Sequence, residues 1–296
     1  FGTTPLAQVI EAEANAYAQC DVYRRACVLV PLPDDACYVV DVFRVRGGRR
    51  HSYGFQCNGR LAGVDGVALA PSERRHRWLS AFRVAAAASP CRATWEDGDV
   101  HTTLHILTPG DQVVVADAPG WRSCKGTELN APPIQQVFLE RSAPKDGPLD
   151  SCFVTVVAPR RGNQPGLLSV RQLPVEHPGA VAVEVVSAAG TDTVILSADG
   201  APCAVGDIAL QGRFAMLRRP AAGPPAMALV DGVRLAAGSA TLTTVPGAAE
   251  PVSVTGVDGQ TLTLARPPGA GWQAGAWVLA GDTGYEIEAV KGSRVK

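Results

Sequence analysis

Short apolar or alternating segments, each ended by glycine, proline or aspartate, recur along this chain. In residues 100–106, VHTTLHI, the apolar Val100 and Leu104 fall on one face of an extended strand and His101 and His105 on the other. This period of 2 is typical of a half-buried strand. Many short strands separated by glycine turns indicate a sandwich or stacked sheets, and we therefore expect an all-β fold.

The composition agrees with a folded β protein that carries no strong overall charge. The chain has 296 residues, of which 46% are hydrophobic and 19% charged, with 31 Gly and 23 Pro. These proportions suit a globular protein of many turns and exclude a disordered chain. The net charge of -1 excludes a global attraction to nucleic acid or to an anionic membrane,. Any binding of anions must come from local clusters.

Two segments resemble helices, and one segment resembles a domain boundary. Residues 6–19 are rich in Ala, Glu and Gln and predict a helix, with a strand or a linker as the alternative. Residues 71–90 predict a short helix or a long loop. Pro and Gly become frequent before residue 180. We therefore predict a central β-sandwich domain with an N-terminal lead-in over residues 1–178 and a small C-terminal β domain over residues 179–296.

The best candidate for a functional site lies in residues 39–59, VVDVFRVRGGRRHSYGFQCNG. The pattern predicts two strands joined by Gly47-Gly48 as a hairpin, because paired glycines supply the positive φ angles of a tight turn. Guanidinium groups bind carboxylates and sulfates bidentately, and a tyrosine can stack on a sugar. The alternative is a solvated turn, or arginines paired with Asp41 and Glu96. The predicted substrate-binding residues are Arg44, Arg46, Arg49, Arg50, His51 and Tyr53.

A second basic cluster, Arg74-Arg75-His76-Arg77-Trp78, combines positive charge with an aromatic ring. Such a combination suits both acidic polysaccharides and nucleic acid. The alternative is the solvated face of a helix.

The sequence predicts no catalytic residue, no metal site and no cofactor. His101 and His105 are four residues apart, which on a strand is about 13 Å, too far for one ion to bind both. We expect instead that these two histidines line a polar groove. The eight cysteines show no zinc-ligand spacing, and neither a nucleophile motif nor a phosphate loop occurs. Several cysteines lie in apolar segments, and their disulfide state stays open.

Several segments, taken in their order, resemble the C-terminal β portion of heparinase II/III-like polysaccharide lyases. The most specific is VDVFRVRGG followed by His51. The others are YRRACVLV, TWEDGDVHTTLHIL, ADAPGWR, LDSCFVTVVAP and TGYEIEAV. The resemblance covers most of residues 20–175 and, more loosely, the rest of the chain.

The resemblance implies a large antiparallel β-sandwich (supersandwich) followed by a smaller β-sheet domain. It also implies cleavage of uronic-acid-containing polysaccharide by β-elimination. In that reaction a neutralising group handles the carboxylate, a Tyr or His abstracts the C5 proton, and a Tyr protonates the leaving oxygen. The implied partners are an acidic polysaccharide and the N-terminal α/α-toroid of the same protein, with no nucleic acid and no membrane. The implied location is secreted or periplasmic.

This sequence departs from the family pattern in two ways. The toroid with its catalytic Asn, Tyr and His has no counterpart here, nor does the stretch that holds a structural zinc in some members. After the glycine turn Ser52 replaces an Asp, and Gln56-Cys57-Asn58-Gly59 stands where His-Gly is expected. We therefore expect this chain alone to be inactive and to form one wall of the substrate cleft. The alternatives are a non-catalytic carbohydrate-binding or structural module and, more weakly, a nucleic-acid-binding protein.

Overall fold

The computed structural model contains strands and turns and confirms the all-β prediction. It describes residues 2–87, 90–108, 110–120, 132–143, 147–244, 252–269, 272–275, 277–280 and 283–296. Within these residues we find no helical segment with the length and apolarity needed to cross a bilayer. The chain forms two compact units, Thr3–Leu242 and Thr243–Lys296.

The first unit contains three sheets, whose strands are numbered β1 to β20 in chain order. The eight-stranded sheet consists, in spatial order, of β1 (Gly2–Thr3), β2 (Gln8–Glu13), β3 (Cys20–Pro31), β4 (Cys37–Gly47), β13 (Asp150–Arg161), β10 (Val100–Ile106), β9 (Cys91–Asp97) and β6 (Arg60–Asp65). The five-stranded sheet consists of β5 (Arg50–Gln56), β12 (Ile134–Ser142), β11 (Gln112–Ala118), β8 (Ser80–Ala86) and β7 (Ala70–Pro71). The seven-stranded sheet consists of β14 (Ser169–Leu173), β15 (Ala180–Ser187), β16 (Gly190–Ser197), β18 (Ile208–Arg219), β19 (Ala226–Ala237) and β20 (Ala240–Thr243), with β17 (Cys203–Val205) paired to β18.

The eight-stranded sheet is the middle layer of this unit and has a core on each face. On β4, Tyr38, Val40 and Val42 belong to the core shared with the seven-stranded sheet. Phe43 and Val45 belong to the core shared with the five-stranded sheet. Side chains alternate between the faces of a strand, so the nearly continuous apolar run of β4 follows from its burial on both sides.

The two predicted helices are wrong within the described residues. Residues 6–19 contain β2, which pairs with β3 from Gln8↔Leu29 to Glu13↔Arg24, so the alternative of a strand is confirmed for part of this window. Val9 is buried while Ile10 is 59% exposed, an alternation that fits a strand with one covered face. Residues 71–90 contain β8 after an irregular segment. The pairing of each segment with a neighbouring strand outweighs its local helix propensity.

The domain boundary after residue 178 stays a prediction. Strands on both sides of it contribute to one core in the first unit, where Val154 and Val156 of β13 join Val183 of β15 and Val194 of β16.

The second unit contains two small sheets. One consists of β21 (Val254–Asp258), β22 (Thr261–Leu264), β26 (Arg294–Val295) and β25 (Val290–Lys291), and the other of β23 (Trp277–Ala280) and β24 (Thr283–Glu286). The sequence predicts two hairpins here, one around Asp258-Gly259, which lies between alternating apolar residues, and one in AWVLAGDTGYEIEAV. Both are confirmed, as β21–β22 and β23–β24. Leu264, Ile287 and Val295 form the small core of this unit.

Candidate functional site

The cationic stretch is not a hairpin, and this prediction is wrong. β4 pairs with β3 and β13 in the eight-stranded sheet, whereas β5 is an edge strand of the five-stranded sheet and pairs with β12. Gly47 and Gly48 have φ angles of 104° and 69° and carry the chain from one sheet to the other. A Cβ on Gly47 would lie 2.2 Å from the carbonyl oxygen of Gln19, so only glycine fits this crossing.

The two arginines at the end of β4 lie on the face that is turned toward the seven-stranded sheet. The half-buried Arg44 donates from Nη2 to the carbonyl oxygen of Gly179 at 3.0 Å. Arg46 is exposed and lies 3.7 Å from Asp21, measured from Nε to Oδ2. Asp41 and Glu96, the predicted acidic partners, bind Arg25 and Arg60 instead.

His51 and Tyr53 point inward from β5 and are 5% and 2% exposed. The two ring nitrogens of His51 lie 2.8 Å from the hydroxyl of Ser151 and 2.6 Å from the carbonyl oxygen of Gly47. Tyr53 donates its hydroxyl proton to Asp41 at 2.8 Å. Burial and then the adjacent Asp41 carboxylate raise the pKa of Tyr53 above its usual range. Both side chains therefore hold the crossing in place and lie beneath the surface.

Arg50 and an arginine of the second basic cluster bind the same carboxylate. Arg50 donates from Nη2 to Oε1 of Glu140 at 2.7 Å, and Arg74 donates from Nη1 to Oε2 at 2.9 Å. Arg74 also donates to the side-chain oxygen of Gln112. The side chain of Glu140 is 13% exposed. The structure thus joins the two basic stretches, which the sequence does not link.

The second basic cluster lies on the outer face of the five-stranded sheet. Leu79 packs on a small core that contains Phe82 and Val114. Beside it, Trp78 is 48% exposed, and the guanidinium carbon of Arg77 lies 4.6 Å from the centre of its ring. We define the arginine–tryptophan surface as Arg50, Arg74, Arg77, Trp78 and Glu140.

A separate polar groove lies on the eight-stranded sheet, on the face turned away from the five-stranded sheet. Three rows of paired residues cross β6, β9, β10 and β13 there. The first row is Asp65, Arg92, His105 and Val156, the second is Gly63, Thr94, Thr103 and Ala158, and the third is Arg60, Glu96, His101 and Arg160. Residues 165–167 border the groove and help to enclose a cavity of about 270 Å³. We refer to it as the β9–β10 groove.

His105 lines this groove, in agreement with the prediction, whereas His101 lies at its end and 3.9 Å from Glu96. Burial, with a smaller contribution from Arg92, lowers the pKa of His105 to about 4. The imidazole of His105 is therefore neutral near pH 7 and can both donate and accept a hydrogen bond.

The sequence does not predict that Arg92, Thr94 and Arg160 line the groove. The alternation of β10 predicts a polar face, but the neighbouring strands that complete this face are set by pairing. Among the described residues, no three His, Cys, Asp or Glu side chains are placed to hold a metal ion. The seven described cysteines are free thiols. Trp121 and Arg122, the end of the segment ADAPGWR, lie outside the described residues.

The fold and these two surfaces define an all-β protein whose central sheet is covered on both faces. No model of a protein family matches the chain, and no curated protein matches it at a significant level.

Among solved structures, the chain is similar to heparan sulfate lyase HepC from Pedobacter heparinus, with 14% identity, a TM-score of 0.40 and 67% of this chain covered. A mutant of the same lyase gives 15% identity, a TM-score of 0.42 and the same coverage. The match spans 27% of the length of either lyase chain.

Proposed function

We propose that this chain is the β part of a polysaccharide lyase that cleaves uronic-acid-containing polysaccharide by β-elimination. In this proposal the arginine–tryptophan surface forms part of the wall of the substrate cleft. The ordered sequence segments that resemble the β portion of heparinase II/III-like lyases support the proposal. The proposal also includes an acidic polysaccharide as the substrate, an N-terminal toroid in the same protein and a secreted or periplasmic location.

The observation that carries substrate binding is the arrangement of Arg50 and Arg74 on Glu140. Two guanidinium groups share one carboxylate, so the cluster keeps one positive charge in excess. Arg75 and Arg77 are exposed beside it, and the half-exposed ring of Trp78, over which the guanidinium of Arg77 lies, adds aromatic surface for contact with a sugar. An acidic polysaccharide has the complementary combination of carboxylate or sulfate groups and apolar ring faces.

In β-elimination the enzyme must neutralise the uronate carboxylate, remove the proton next to it and protonate the leaving oxygen. The arginines of this surface suit the first task. The residues proposed from the sequence divide accordingly. Arg46 lies on the face turned toward the seven-stranded sheet, near Asp21, and has no part in this surface, whereas Arg49 and Arg50 would contact the polyanion. Arg44, His51 and Tyr53 would position the crossing that presents them. The proton-transfer groups would come from the toroid.

A non-catalytic carbohydrate-binding module is the second candidate. The burial of His51 and Tyr53 favours this candidate. They are the only imidazole and phenol among the predicted site residues, and both are too buried to exchange a proton with a bound substrate.

The first test is binding to immobilised heparin and alginate at several salt concentrations. We expect Arg74→Gln to weaken binding at least about tenfold, because a charge-assisted bond contributes roughly 1.5–3 kcal/mol, and to reduce the dependence on salt. Arg171→Gln is the matched control, since Arg171 is exposed and paired with Glu184 on the seven-stranded sheet. Equal losses in both variants, or no loss in Arg74→Gln, contradict the proposed surface. DNA that binds as tightly as heparin at equal salt supports nucleic-acid binding instead.

The second test separates the lyase from the binding module. The gene sequence upstream of Phe1 should encode a helical toroid with a Tyr and a His, and the complete protein should release unsaturated uronate products that absorb in the ultraviolet. A complete protein that binds acidic polysaccharide without releasing such products supports the module.

A further inference from the structure

The β9–β10 groove has a fixed shape, because hydrogen bonds hold the segment that borders it. Gln164 donates from its side-chain amide to the carbonyl oxygen of Asp34 at 3.0 Å. The amide of Leu168 donates to the carbonyl oxygen of Val186 at 2.8 Å. Leu167 packs against the core between the eight- and seven-stranded sheets. A cavity that is formed before the ligand arrives avoids part of the entropic cost of binding.

The charges of the groove leave one positive charge in excess. Arg92 and Arg160 line it together with one carboxylate, that of Asp65. Arg92 donates from Nε to Asp65 at 3.0 Å, which does not involve its two terminal amino groups, and its side chain is 59% exposed. Arg160 donates from Nη1 to the carbonyl oxygen of Gly162 at 3.0 Å. One excess charge matches a carboxylate or a sulfate ester better than a phosphate monoester, which carries about -1.5 to -2 at pH 7.

The two arginines enter the cavity from opposite ends. Arg92 belongs to the first row and Arg160 to the third, and the residues between them carry hydroxyl groups and small side chains. Thr94 and Thr103 face each other with their hydroxyl oxygens 3.4 Å apart. A Cβ added to Gly63 would have no other atom within 4 Å, so the groove is open beside Gly63 on the edge strand β6.

The remaining lining combines one imidazole with apolar surface. His105 faces the cavity beside Arg92, and its low pKa keeps it neutral near pH 7, as a donor or acceptor to a hydroxyl group. Ala158, Pro159 and Leu167 supply apolar contacts. A sugar ring has the same two characters, since hydroxyl groups surround its edge and C–H groups cover its faces.

We propose that the β9–β10 groove binds one acidic sugar unit, whose carboxylate or sulfate ester is held by Arg92 or Arg160 and whose hydroxyl groups meet Thr94, Thr103 and His105. The cavity volume of about 270 Å³ is just below the range of about 300–1,000 Å³ for ligand pockets, and this restricts the ligand to about one unit. The groove and the arginine–tryptophan surface lie on different sheets, so this site does not depend on the function proposed above.

The test is a titration of the full chain with glucuronate, glucose 6-sulfate and glucose, followed through the histidine ring signals in NMR spectra. The chain has five histidines, and the signal absent from His105→Gln identifies His105. We expect glucuronate, glucose 6-sulfate or both to shift the His105 signal saturably while that of His177 stays in place. Glucose at the same concentrations should bind at least about tenfold more weakly, because it lacks the charged group.

Either substitution removes the one excess positive charge of the groove, so Arg92→Gln and Arg160→Gln should each weaken binding of the acidic sugar at least about tenfold. The matched control is Arg60→Gln. Arg60 lies at the edge end of the third row and does not line the cavity, and it forms with Glu96 the same kind of exposed pair between β6 and β9 as Arg92 forms with Asp65. If one arginine variant fails to fold, the other variant and the titration of the unmodified chain still show whether the groove binds an acidic sugar. Arg74→Gln should leave this binding unchanged, which separates the result from that of the arginine–tryptophan surface.

Three outcomes overturn the proposal. The first is the absence of a saturable His105 shift with both acidic sugars. The second is an equal affinity for glucose. The third is an equal loss of affinity in Arg60→Gln, which would show that general surface charge explains the binding.

Discussion

At the scale of single residues, Asp41 shows how a charge can occupy the middle of an apolar strand. The residue is 2% exposed and lies on β4. Its carboxylate accepts hydrogen bonds from Nε and Nη2 of Arg25 and from the hydroxyl of Tyr53. A buried carboxylate is tolerated when each oxygen has donors of this kind. Removal of its charge weakens the bonds from the half-exposed Arg25 and leaves the buried site with a poorer acceptor.

We therefore expect Asp41→Asn to lower the free energy of unfolding by about 2–4 kcal/mol in urea denaturation. Tyr53→Phe should cost about 1–3 kcal/mol, since it keeps the ring but removes the hydroxyl that binds both Asp41 and Thr155. The control is Asp99→Asn, because the pair of Asp99 and Arg161 is exposed and 3.7 Å long. A loss in Asp99→Asn as large as that in Asp41→Asn would contradict this role of burial.

His105 gives the second prediction at this scale. Its pKa is about 4 in the folded chain, below the value of about 6.5 in an unfolded chain. Protonation therefore favours the unfolded state, and the stability that the neutral ring contributes is present above about pH 6.5 and is lost as the pH falls toward about 4. Arg92, Arg160 and Asp65 face the same cavity.

We expect about 1–3 kcal/mol of the stability to be lost over this range, and a shallower loss in His105→Gln. The measurement is urea denaturation between pH 7 and pH 4, together with an NMR titration of the His105 ring. A ring pKa near 6.5 in the folded chain would contradict the prediction.

At the scale of elements, the crossing from β4 to β5 shows where sequence reasoning succeeds and where it ends. The sequence predicts both strands and the positive φ angles of Gly47 and Gly48, and the structure confirms them. The partners are not predictable from this stretch. Arg44 pairs with Cys152 and Ser52 with Glu140, which are about 90 to 110 residues away. Two strands joined by a tight turn have the same local sequence pattern whether they pair with each other as a hairpin or belong to different sheets.

The β9–β10 groove likewise combines a feature that the sequence predicts with residues that only strand pairing brings together. The alternation of residues 100–106 predicts a polar face that contains His105. Arg92, Thr94 and Arg160 join this face only through strand pairing. The segment that borders the groove has no regular pattern of its own, and its position depends on contacts with Asp34 and Val186.

The crossing itself can be tested with Gly47→Ala. We expect a loss of about 3 kcal/mol or more in the free energy of unfolding, because a Cβ there would meet Gln19 and the φ of 104° is strained for alanine. Gly98→Ala is the matched control, since Gly98 has a φ of 61° but no atom within 4 Å of its Cβ direction. That variant should lose only about 1 kcal/mol. Similar losses in urea denaturation would show that backbone strain alone, without the close contact, explains the effect.

At the scale of the whole molecule, the first unit is stabilised between its eight- and seven-stranded sheets by an apolar core and by polar links. Asp192 accepts hydrogen bonds from the hydroxyl of Tyr38 at 2.8 Å and from Nε of Arg218 at 2.7 Å. Arg24 donates to the carbonyl oxygen of Ala198 at 2.7 Å, and Arg44 donates to that of Gly179. The arginines of β3 and β4 therefore include residues that connect two layers, and positive charge on a strand is by itself a weak sign of a ligand site.

These contacts predict how shortened chains behave. A chain that ends at residue 178 keeps the eight- and five-stranded sheets but loses most of the seven-stranded sheet. Seven valines of the eight-stranded sheet that the structure describes as buried in the shared core would then face solvent: Val9, Val28, Val30, Val40, Val42, Val154 and Val156. At roughly 1.5 kcal/mol or more each, their exposure would cost about 10 kcal/mol, which is comparable to the whole stability of about 5–15 kcal/mol of a typical domain.

A chain that ends at residue 242 keeps the core between these two sheets and loses only the second unit. We expect this longer chain to unfold cooperatively in thermal denaturation, with the transition of its sheets retained. The chain of residues 1–178 should show no cooperative transition, because its largest apolar face has lost its cover, and it should bind a hydrophobic dye. A cooperative transition in the shorter chain would instead support the domain boundary predicted after residue 178, and it would show that the eight- and five-stranded sheets are stable without the third layer.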